Sequence, residues 1–407
     1  MTDTEPIEGD QLPLAGIRVL EVASWVMAPS AGAILAAFGA DVIKVEPAGS
    51  ADPARAATVE VDGHTVEPGF EIANGGKRAI TLDLAAAAGQ EVLHRLIERA
   101  DVFLTNIRSD ALRRADLEPS ILQARYPELI VAHATGYGPT GPDAERPAFD
   151  ELGYWARGGI SHTLAPEGEP PVQLVGAMGD FPSGVAIVAG ITTALFRRER
   201  DGGGAIIDVS LYGAGLWTNG WELQTTLLGR APRQAMPREA RPNPLYNTYR
   251  CADGRWVQFA MFQAGRYWAP LWTALGRPDL IADPRFVDFD AILTHAEAAT
   301  TLLDTAIGAV ALDDLAPRLD AADLPWSPVL SLEEIRSDEQ ARLNGLIRSK
   351  PHRSGIQIDT VAPPFQFRGQ PARLAAAPEV GQDRESLLLE LGYDWDEIAV
   401  LADRGAF

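Results

Sequence analysis

A single carboxylate stands between glycines at the start of a long apolar segment. Residues 173–184 read QLVGAMGDFPSG, so that Asp180 follows Gly179 and precedes Pro182 and Gly184. Proline is favoured in the first turn of a helix, which predicts that a helix begins here. Aspartate at such a position commonly caps the helix by accepting hydrogen bonds from its free N–H groups. It can also be presented to a substrate as a nucleophile, and both interpretations are open on this segment alone.

The glycines around this carboxylate leave the backbone accessible. Gly176, Gly179 and Gly184 have no side chain that would keep backbone N–H groups away from a reacting carbonyl. If Asp180 attacks a carbonyl, Gly179 and Gly184 would let such N–H groups stabilise the oxyanion that forms. The start of the helix adds a partial positive charge nearby.

The composition excludes several classes of function. The chain has 407 residues, of which 46% are hydrophobic and 22% charged, as expected for a globular protein with room for two domains. Its formal charge of -21 opposes binding to nucleic acid or to an anionic membrane surface. The apolar run 184–196 is too short to span a bilayer, and residues 1–10 are acidic rather than a basic leader, so we expect a cytoplasmic protein.

Metal and nicotinamide sites are not expected. The single cysteine, Cys251, has no histidine near it in sequence, and the six histidines are scattered, so we assign no metal. The first turn between a strand and a helix reads ASWVMAP at residues 23–29 and lacks the glycines that let a backbone approach pyrophosphate. We therefore expect no NAD. An anionic ligand of so acidic a chain needs a local basic pocket, for which the candidates are Arg55, Lys77, Arg78, Arg108, Arg113 and Arg114.

Strand and helix patterns alternate through the first half of the chain, which predicts a parallel α/β sheet. The predicted strands are residues 14–21, 41–46, 79–84, 102–105, 129–134 and 205–210, and the predicted helices include 28–38, 89–99 and 182–200. From about residue 229 the chain becomes rich in proline and arginine, which indicates a connector into a second domain. The predicted organisation is a disordered lead at 1–12, a large domain at 13–228 and 326–407, and a small domain at 229–325.

Several short stretches occur in an order that resembles class III CoA-transferases, the family of formyl-CoA transferase and alpha-methylacyl-CoA racemase. They are RVLE at 18–21, GADVIKVEP at 39–47, NGGKR at 74–78, GYG at 136–138, GP at 141–142, GD at 179–180, PWSPV at 325–329 and LGY at 391–393. The resemblance implies an α/β fold with a Rossmann-like large domain that both termini complete, and a smaller α+β domain. It also implies an interlocked, ring-like homodimer.

The resemblance implies a function as well. The carboxylate matching Asp180 attacks the thioester of an acyl-CoA donor, and the CoA thiolate then returns to form an aspartyl-CoA thioester that a carboxylic acid acceptor resolves. By the same resemblance Asp150, Phe149 and Tyr137 support the reaction. The implied CoA contacts are Trp25, Val26, Lys77, Arg78, Asn106, Ala111 and Arg114.

Two alternatives remain at this point. The racemase branch needs a pair of proton-transfer groups, one of them a histidine where this chain has Phe149, and phenylalanine cannot transfer a proton. His133 and His162 could substitute only if the fold brings them close. A non-catalytic acyl-CoA binding protein would have no need of Asp180.

The aromatic residues Phe149, Tyr154, Trp155 and Phe181 suggest an acyl group larger than formyl.

Overall fold

The structure is a computed structural model that describes residues 12–233 and 235–407. The strands are β1 (Arg18–Val22), β2 (Asp41–Pro47), β3 (Val59–Val61), β4 (His64–Val66), β5 (Arg78–Leu82), β6 (Val102–Thr105), β7 (Ile130–Thr135), β8 (Ala205–Ser210), β9 (Thr248–Arg250), β10 (Trp256–Phe259), β11 (Trp326–Val329), β12 (Ile347–Pro351) and β13 (Gln357–Val361).

The helices surround these strands and follow them in sequence. They are α1 (Met27–Ala37), α2 (Pro68–Asn74), α3 (Ala87–Glu98), α4 (Ser109–Arg114), α5 (Pro119–Arg125), α6 (Ile160–Thr163), α7 (Asp180–Asp201), α8 (Leu211–Thr218), α9 (Gly220–Leu227), α10 (Ala264–Ala274), α11 (Phe289–Thr294), α12 (Ala296–Gly308), α13 (Leu312–Ala321), α14 (Leu332–Arg336), α15 (Glu339–Leu343), α16 (Arg384–Glu390) and α17 (Trp395–Asp403). A π-helical turn covers Glu151–Ala156.

The described residues divide into two compact units. The large unit consists of residues 12–162, Pro171–Pro232 and Arg342–Phe407, and the small unit of Thr163–Pro170 and Arg233–Ala341. The predicted lead at 1–12 lies outside the described residues except for Leu12, which is buried.

A six-stranded parallel sheet in the order β5-β2-β1-β6-β7-β8 forms the centre of the large unit. Both of its faces are covered, and successive side chains of one strand therefore enter different cores. Val19 of β1 belongs to the core that includes residues of α1 and α7, whereas Leu20 belongs to the core that includes residues of α3, α16 and α17. The predicted parallel α/β sheet is confirmed, and the near-continuous apolar strands are explained by this double burial.

The C-terminal residues of the chain belong to the large unit. Asp383, just before α16, exchanges two hydrogen bonds with the backbone of Ala79 in β5, each 2.8 Å long. The carbonyl of Ala406 accepts a bond of 2.9 Å from the N–H of Asp83. These contacts fix the last helices against the edge of the sheet.

The small unit has an antiparallel sheet in the order β11-β10-β9 and its own core. Its boundaries differ from the predicted small domain at 229–325. Strand β11 at Trp326–Val329, which was predicted as the return to the large domain, pairs with β10, and the unit continues to Ala341. It also includes Thr163–Pro170, since the carbonyl of Thr163 accepts a bond from the N–H of Ala235.

The strand order places a switch point between β1 and β6. From β1 the chain proceeds to β2 and β5 on one side, and then returns to build β6, β7 and β8 on the other. The loops that leave β1 and β6 therefore diverge and leave a crevice at the carboxyl edge of the sheet. This is where open α/β sheets bind ligands, and it is where Trp25 and Asn106 follow their strands.

Helices α1 and α7 pack closely over one face of the sheet. A Cβ atom on Gly184 of α7 would lie 2.1 Å from the hydroxyl of Ser30 and 3.0 Å from the carbonyl of Met27 in α1. The absence of a side chain at Gly184 thus sets the spacing of the two helices. Helix α7 has 22 residues, yet within the described ranges neither it nor any other helix is long and apolar enough to cross a membrane.

We expect Gly184→Ala to destabilise the protein by about 1–3 kcal/mol, because the added methyl group would push backbone atoms of α1 and α7 apart. The thermal midpoint, followed by circular dichroism, measures this loss. Gly69→Ala in α2 is the matched control, since a Cβ there meets nothing within 4 Å. Equal midpoints for the two variants would contradict the proposed helix contact.

Candidate active site

A pocket of about 360 Å³ opens at the switch point of the large unit. Its wall comes from the turns that follow β1, β6 and β7 and from the two loops that lead to Phe149 and Asp180. The lining residues are Ser24, Trp25, Met27, Asn106, Ile107, Arg108, Ser109, Ala134, Thr135, Gly136, Ala144, Arg146, Pro147, Ala148, Phe149, Asp180 and Leu211.

Trp25 stands in the turn after β1 with an unusual backbone. Its φ angle is 67°, in the left-handed region that a bulky side chain seldom adopts. The indole is 44% exposed and meets the ring of Phe149 edge to face, with the ring centroids 5.2 Å apart. The two aromatic rings together form one wall of the pocket that contains Asp180.

Asn106, directly after β6, fixes the neighbouring residue of this turn. Its side-chain oxygen accepts a bond of 3.1 Å from the N–H of Ser24, and its amide donates one of 2.7 Å to the carbonyl of Ser24. The side chain therefore links the turn after β1 to the end of β6. This explains why an amide, which both donates and accepts, occupies the position.

Asp180 is the first residue of α7, and Gly179 is at the N-cap position. Within residues 12–233 and 235–407, no hydrogen-bond donor reaches the Asp180 carboxylate. Burial, together with the charges of Asp150 and Glu151, raises the pKa of Asp180 to about 7. The capping interpretation is therefore not supported, and the carboxylate is a basic group exposed to the pocket.

Asp150 organises the turn that carries this carboxylate. It is buried, and its Oδ2 accepts a bond of 2.8 Å from the N–H of Gly179. Burial raises the pKa of Asp150, while the N–H groups of Gly179 and Asp180 act in the opposite direction. Asp150 thus joins the π-helical segment to the start of α7, and its negative charge lies close to Asp180.

The sequence profile of CoA-transferase family III matches residues 14–384. The chain belongs to CoA-transferase family III. It is therefore a transferase, and the resemblance inferred from its short motifs is confirmed.

Two named relatives and one solved structure are similar to this chain over more than nine-tenths of its length. (R)-2-hydroxy-4-methylpentanoate CoA-transferase of Clostridioides difficile is 32% identical, with 95% of this chain and 97% of that protein covered. Cinnamoyl-CoA:phenyllactate CoA-transferase of Clostridium sporogenes is 31% identical, with 97% of each covered. The crystal structure of a CAIB/BAIF family protein from Brucella suis superposes with a TM-score of 0.83 at 29% identity, over 93% of this chain and 99% of that one.

The racemase alternative is not favoured. The two relatives from Clostridioides difficile and Clostridium sporogenes are named CoA-transferases, and Phe149, where the racemase needs a histidine, is an aromatic wall of the pocket. His133 is buried in β7, 3.5 Å from Asp208, and His162 is exposed in α6. Neither of these histidines lines the pocket.

The predicted CoA contacts separate into two groups. Trp25 and Asn106 line the pocket. Val26 is the N-cap residue of α1 and follows Trp25, and Ala111 and Arg114 lie farther along α4, the helix whose first residue lines the pocket. Their contacts with CoA stay predictions.

Lys77 and Arg78 are not brought to the pocket. Lys77 is buried, its ammonium lies 2.7 Å from Glu21, and burial lowers its pKa to about 8. Arg78 pairs with Asp41 and Glu390 at distances of 2.7 and 2.6 Å. Lys77 is therefore paired in the interior and Arg78 is paired at the partly exposed surface of the large unit, and their contacts with CoA stay predictions.

Gly179 and Gly184, which were predicted to support an oxyanion, both make close packing contacts in the structure. The N–H of Gly179 is occupied by Asp150, and a Cβ at Gly179 would lie 2.7 Å from the ring of Tyr154, so glycine is needed for space. Gly184 faces α1 rather than the pocket. Both glycines thus have packing roles in this structure, and the oxyanion contacts expected around them stay a prediction.

Tyr137 is not among the residues that line the pocket. Tyr137 lies under the guanidinium groups of Arg146 and Arg157, 5.8 and 5.3 Å from its ring centre. Of the aromatic residues that suggested a large acyl group, only Phe149 lines this pocket, and Phe181 lines a separate cavity.

Sequence reasoning missed Arg146 as a pocket residue. Together with Arg108, it supplies positive charge to the pocket wall. The signal that could have found it is its position after the glycine-rich turn that follows β7, because all loops after parallel strands reach the same edge of the sheet.

We expect Asp180→Asn to stabilise the protein above pH 7 and to have little effect near pH 4. The folded-state pKa of about 7 exceeds the ordinary value of 3.8, so ionisation of Asp180 opposes folding as the pH rises between these values. The gain at pH 8 is on the order of 1–3 kcal/mol after allowance for solvent screening.

The measurement is the difference in thermal midpoint between variant and wild type from pH 4 to pH 8. Asp201→Asn, at the exposed far end of α7, is the control and should show no such rise. A difference that does not depend on pH would contradict the raised pKa of Asp180.

Proposed function

We propose that this chain is an acyl-CoA:carboxylate CoA-transferase in which Asp180 is the nucleophile. The observation that carries the proposal is an Asp180 carboxylate that receives no hydrogen bond from the described part of the chain, has a pKa raised to about 7, and lies in a pocket at the switch point of the sheet. A carboxylate of raised basicity is a stronger nucleophile than an ordinary one, and half of it is ionised near neutral pH.

The proposed reaction preserves the energy of the thioester. A carboxylate oxygen of Asp180 attacks the carbonyl carbon of the donor acyl-CoA, the carbon–sulfur bond breaks, and a mixed anhydride and CoA thiolate form. The thiolate then attacks the Asp180 carbonyl and releases the donor acid, which leaves an aspartyl-CoA thioester. The acceptor carboxylate then attacks the aspartyl-CoA thioester and releases the CoA thiolate, which leaves a mixed anhydride of Asp180 and the acceptor. The thiolate attacks the acceptor carbonyl of this anhydride, which forms the new acyl-CoA and regenerates the Asp180 carboxylate.

Exclusion of water is essential for this chemistry, because both acyl-enzyme intermediates would hydrolyse. The edge-to-face pair of Trp25 and Phe149 provides an apolar cover next to Asp180. The arginines at 108 and 146 offer charge for an anionic part of the substrates. CoA, as acyl-CoA, is thus the proposed cosubstrate, without metal or NAD.

The substrates are proposed to be branched or aromatic rather than formyl-sized. Met27, Phe149 and Leu211 give the pocket an apolar lining. Relatives at 32% and 31% identity carry names that refer to a branched and to an aromatic acid. A small acyl group would leave this lining in contact with water.

We also propose that the active form is an interlocked homodimer. The neighbouring helices α8 and α9 expose a patch formed by Trp217, Trp221, Leu227 and Leu228, with Trp217 88% exposed. Apolar patches of this kind commonly mark protein interfaces. A second copy of the chain would cover it.

Incubation of the protein with 4-methylpentanoyl-CoA or cinnamoyl-CoA, followed by hydroxylamine, should convert Asp180 into a hydroxamate, because hydroxylamine attacks activated carboxylates. Peptide mass spectrometry locates the adduct, and its yield should increase as the pH rises through about 7. Asp180→Ala should give no adduct and should lose at least about a thousandfold in transfer rate.

Asp201→Ala, at the other end of the same helix, is the matched control and should keep both adduct and activity. An adduct on another carboxylate would overturn the role of Asp180. Loss of α-deuterium from a 2-methylacyl-CoA without any adduct would instead support a racemase.

The homodimer is tested by light scattering. The wild type should have twice the chain mass of 43.7 kDa, and this mass should persist on dilution because interlocked chains cannot separate without unfolding. Trp217→Glu should yield monomer or aggregate, since it places a charge in the proposed interface. Trp395→Glu, which changes an exposed tryptophan of α17, should leave the dimer intact, and a monomeric wild type would contradict the proposal.

A further inference from the structure

Trp25 needs an external constraint to keep its backbone conformation. Four non-glycine residues among those described have positive φ angles, and three of them are aspartates, which tolerate this region. Trp25 is the fourth and carries the largest side chain. A left-handed backbone at such a residue is unfavourable by itself, so neighbouring groups must hold it in place.

Asp52 makes the contact that holds it. The N–H of Trp25 donates a bond of 3.0 Å to Oδ1 of Asp52, and Asp52 is only 2% exposed. Its other oxygen, Oδ2, lies 2.8 Å from the ammonium of Lys44. The N–H of Asp52 itself donates to Glu46, so both ends of this residue are fixed.

The effect of this contact reaches the pocket through aromatic packing. Trp25 meets Phe149 edge to face, and Phe149 precedes Asp150, which accepts the N–H of Gly179 beside the candidate nucleophile. A change at Asp52 would therefore move one wall of the pocket without touching the substrate or Asp180.

We propose that Asp52 is a positioning residue, which holds Trp25 in its left-handed turn so that Trp25 and Phe149 form the wall against which the acyl-CoA binds. This inference rests on the proposed function and adds to it a residue that lies outside the pocket lining. The simpler role for Asp52 is to cap the short 3-10 turn Pro53–Ala56, since it also accepts a bond of 2.9 Å from the N–H of Ala54.

The test is a double-mutant cycle between Asp52→Asn and Trp25→Gly. Asparagine has the shape of aspartate, but Lys44 at 2.8 Å attracts its oxygen and turns its NH2 group toward the N–H of Trp25, which removes that hydrogen bond. In the presence of Trp25 the KM for acyl-CoA should rise about five- to tenfold with little change in kcat. In the Trp25→Gly background, where the backbone needs no constraint, Asp52→Asn should change KM less than about twofold.

Asp283→Asn is the matched control. Asp283 precedes a proline and caps the 3-10 turn Pro284–Phe286 in the same way, but it belongs to the small unit. It should lower stability without a change in KM. The positioning role is wrong if Asp52→Asn raises KM equally in both backgrounds or leaves KM unchanged. Asp52→Ala, which also removes the carboxylate, should likewise raise KM only in the presence of Trp25.

A second measurement does not depend on catalysis. Hydrogen exchange of a peptide that contains residues 24–27 should be faster in Asp52→Asn than in the wild type, and unchanged in Asp283→Asn. Unchanged exchange in Asp52→Asn would overturn the positioning role. A wild type without transfer activity would instead refute the proposed function, and the exchange result would still decide the contact between Asp52 and Trp25.

Discussion

A buried group of charges under the first strand-to-helix turn is the constraint on which the rest of the site depends. Lys44 contacts Glu21 and Asp52, and Lys77 contacts Glu21, all inside the large unit. Burial lowers the pKa of a lysine, but at Lys44 the carboxylates of Glu21 and Asp52 outweigh this effect and the net shift is upward. Removal of Glu21 would leave the ammonium of Lys77 without its carboxylate inside the protein, at a cost of about 3–5 kcal/mol.

These charges also determine the path of the backbone. Lys44 donates to the carbonyl of Ala23 and Lys77 to that of Pro29, so the turn is held at both of its ends. Helix α1 must pass directly above the group: a Cβ on Gly32 would lie 2.0 Å from an oxygen of Glu21. The turn, the start of α1 and the switch point are therefore specified together, which is the kind of rigid support that a precise site requires.

Asp180 illustrates a conflict between stability and function. Its ionised form is disfavoured by burial and by the nearby acidic groups at 150 and 151, yet the proposed chemistry needs that form. The fold tolerates the arrangement because Asp150 is anchored by the N–H of Gly179 and the sheet beneath is buried on both faces. Such local destabilisation is common where a group must react.

Local patterns were sufficient for a large part of the fold. Runs such as residues 102–105 and 205–210 were predicted as strands and are observed within the same bounds as β6 and β8. Strand β6 is buried on both faces and therefore reads as a continuous apolar run, whereas β8, at the edge of the sheet, is only partly buried and is marked by its β-branched residues. The helix that begins at Asp180, the parallel α/β sheet and the family followed from motifs that act over a few residues. The boundary of the small unit did not follow from such local motifs, since it depends on the pairing of β10 with β11, which lie about seventy residues apart in sequence.

The sequence by itself therefore determined the order of the elements, the family and the place of one carboxylate at the start of a helix. Only the tertiary structure decided which charged residues face the pocket. Lys77 has the residue type of a phosphate-binding group but pairs with Glu21, which is 56 positions away, whereas Arg108 and Arg146 line the pocket. The physical reason is that ion pairing and burial depend on distances in space, which periodicity along the chain does not encode.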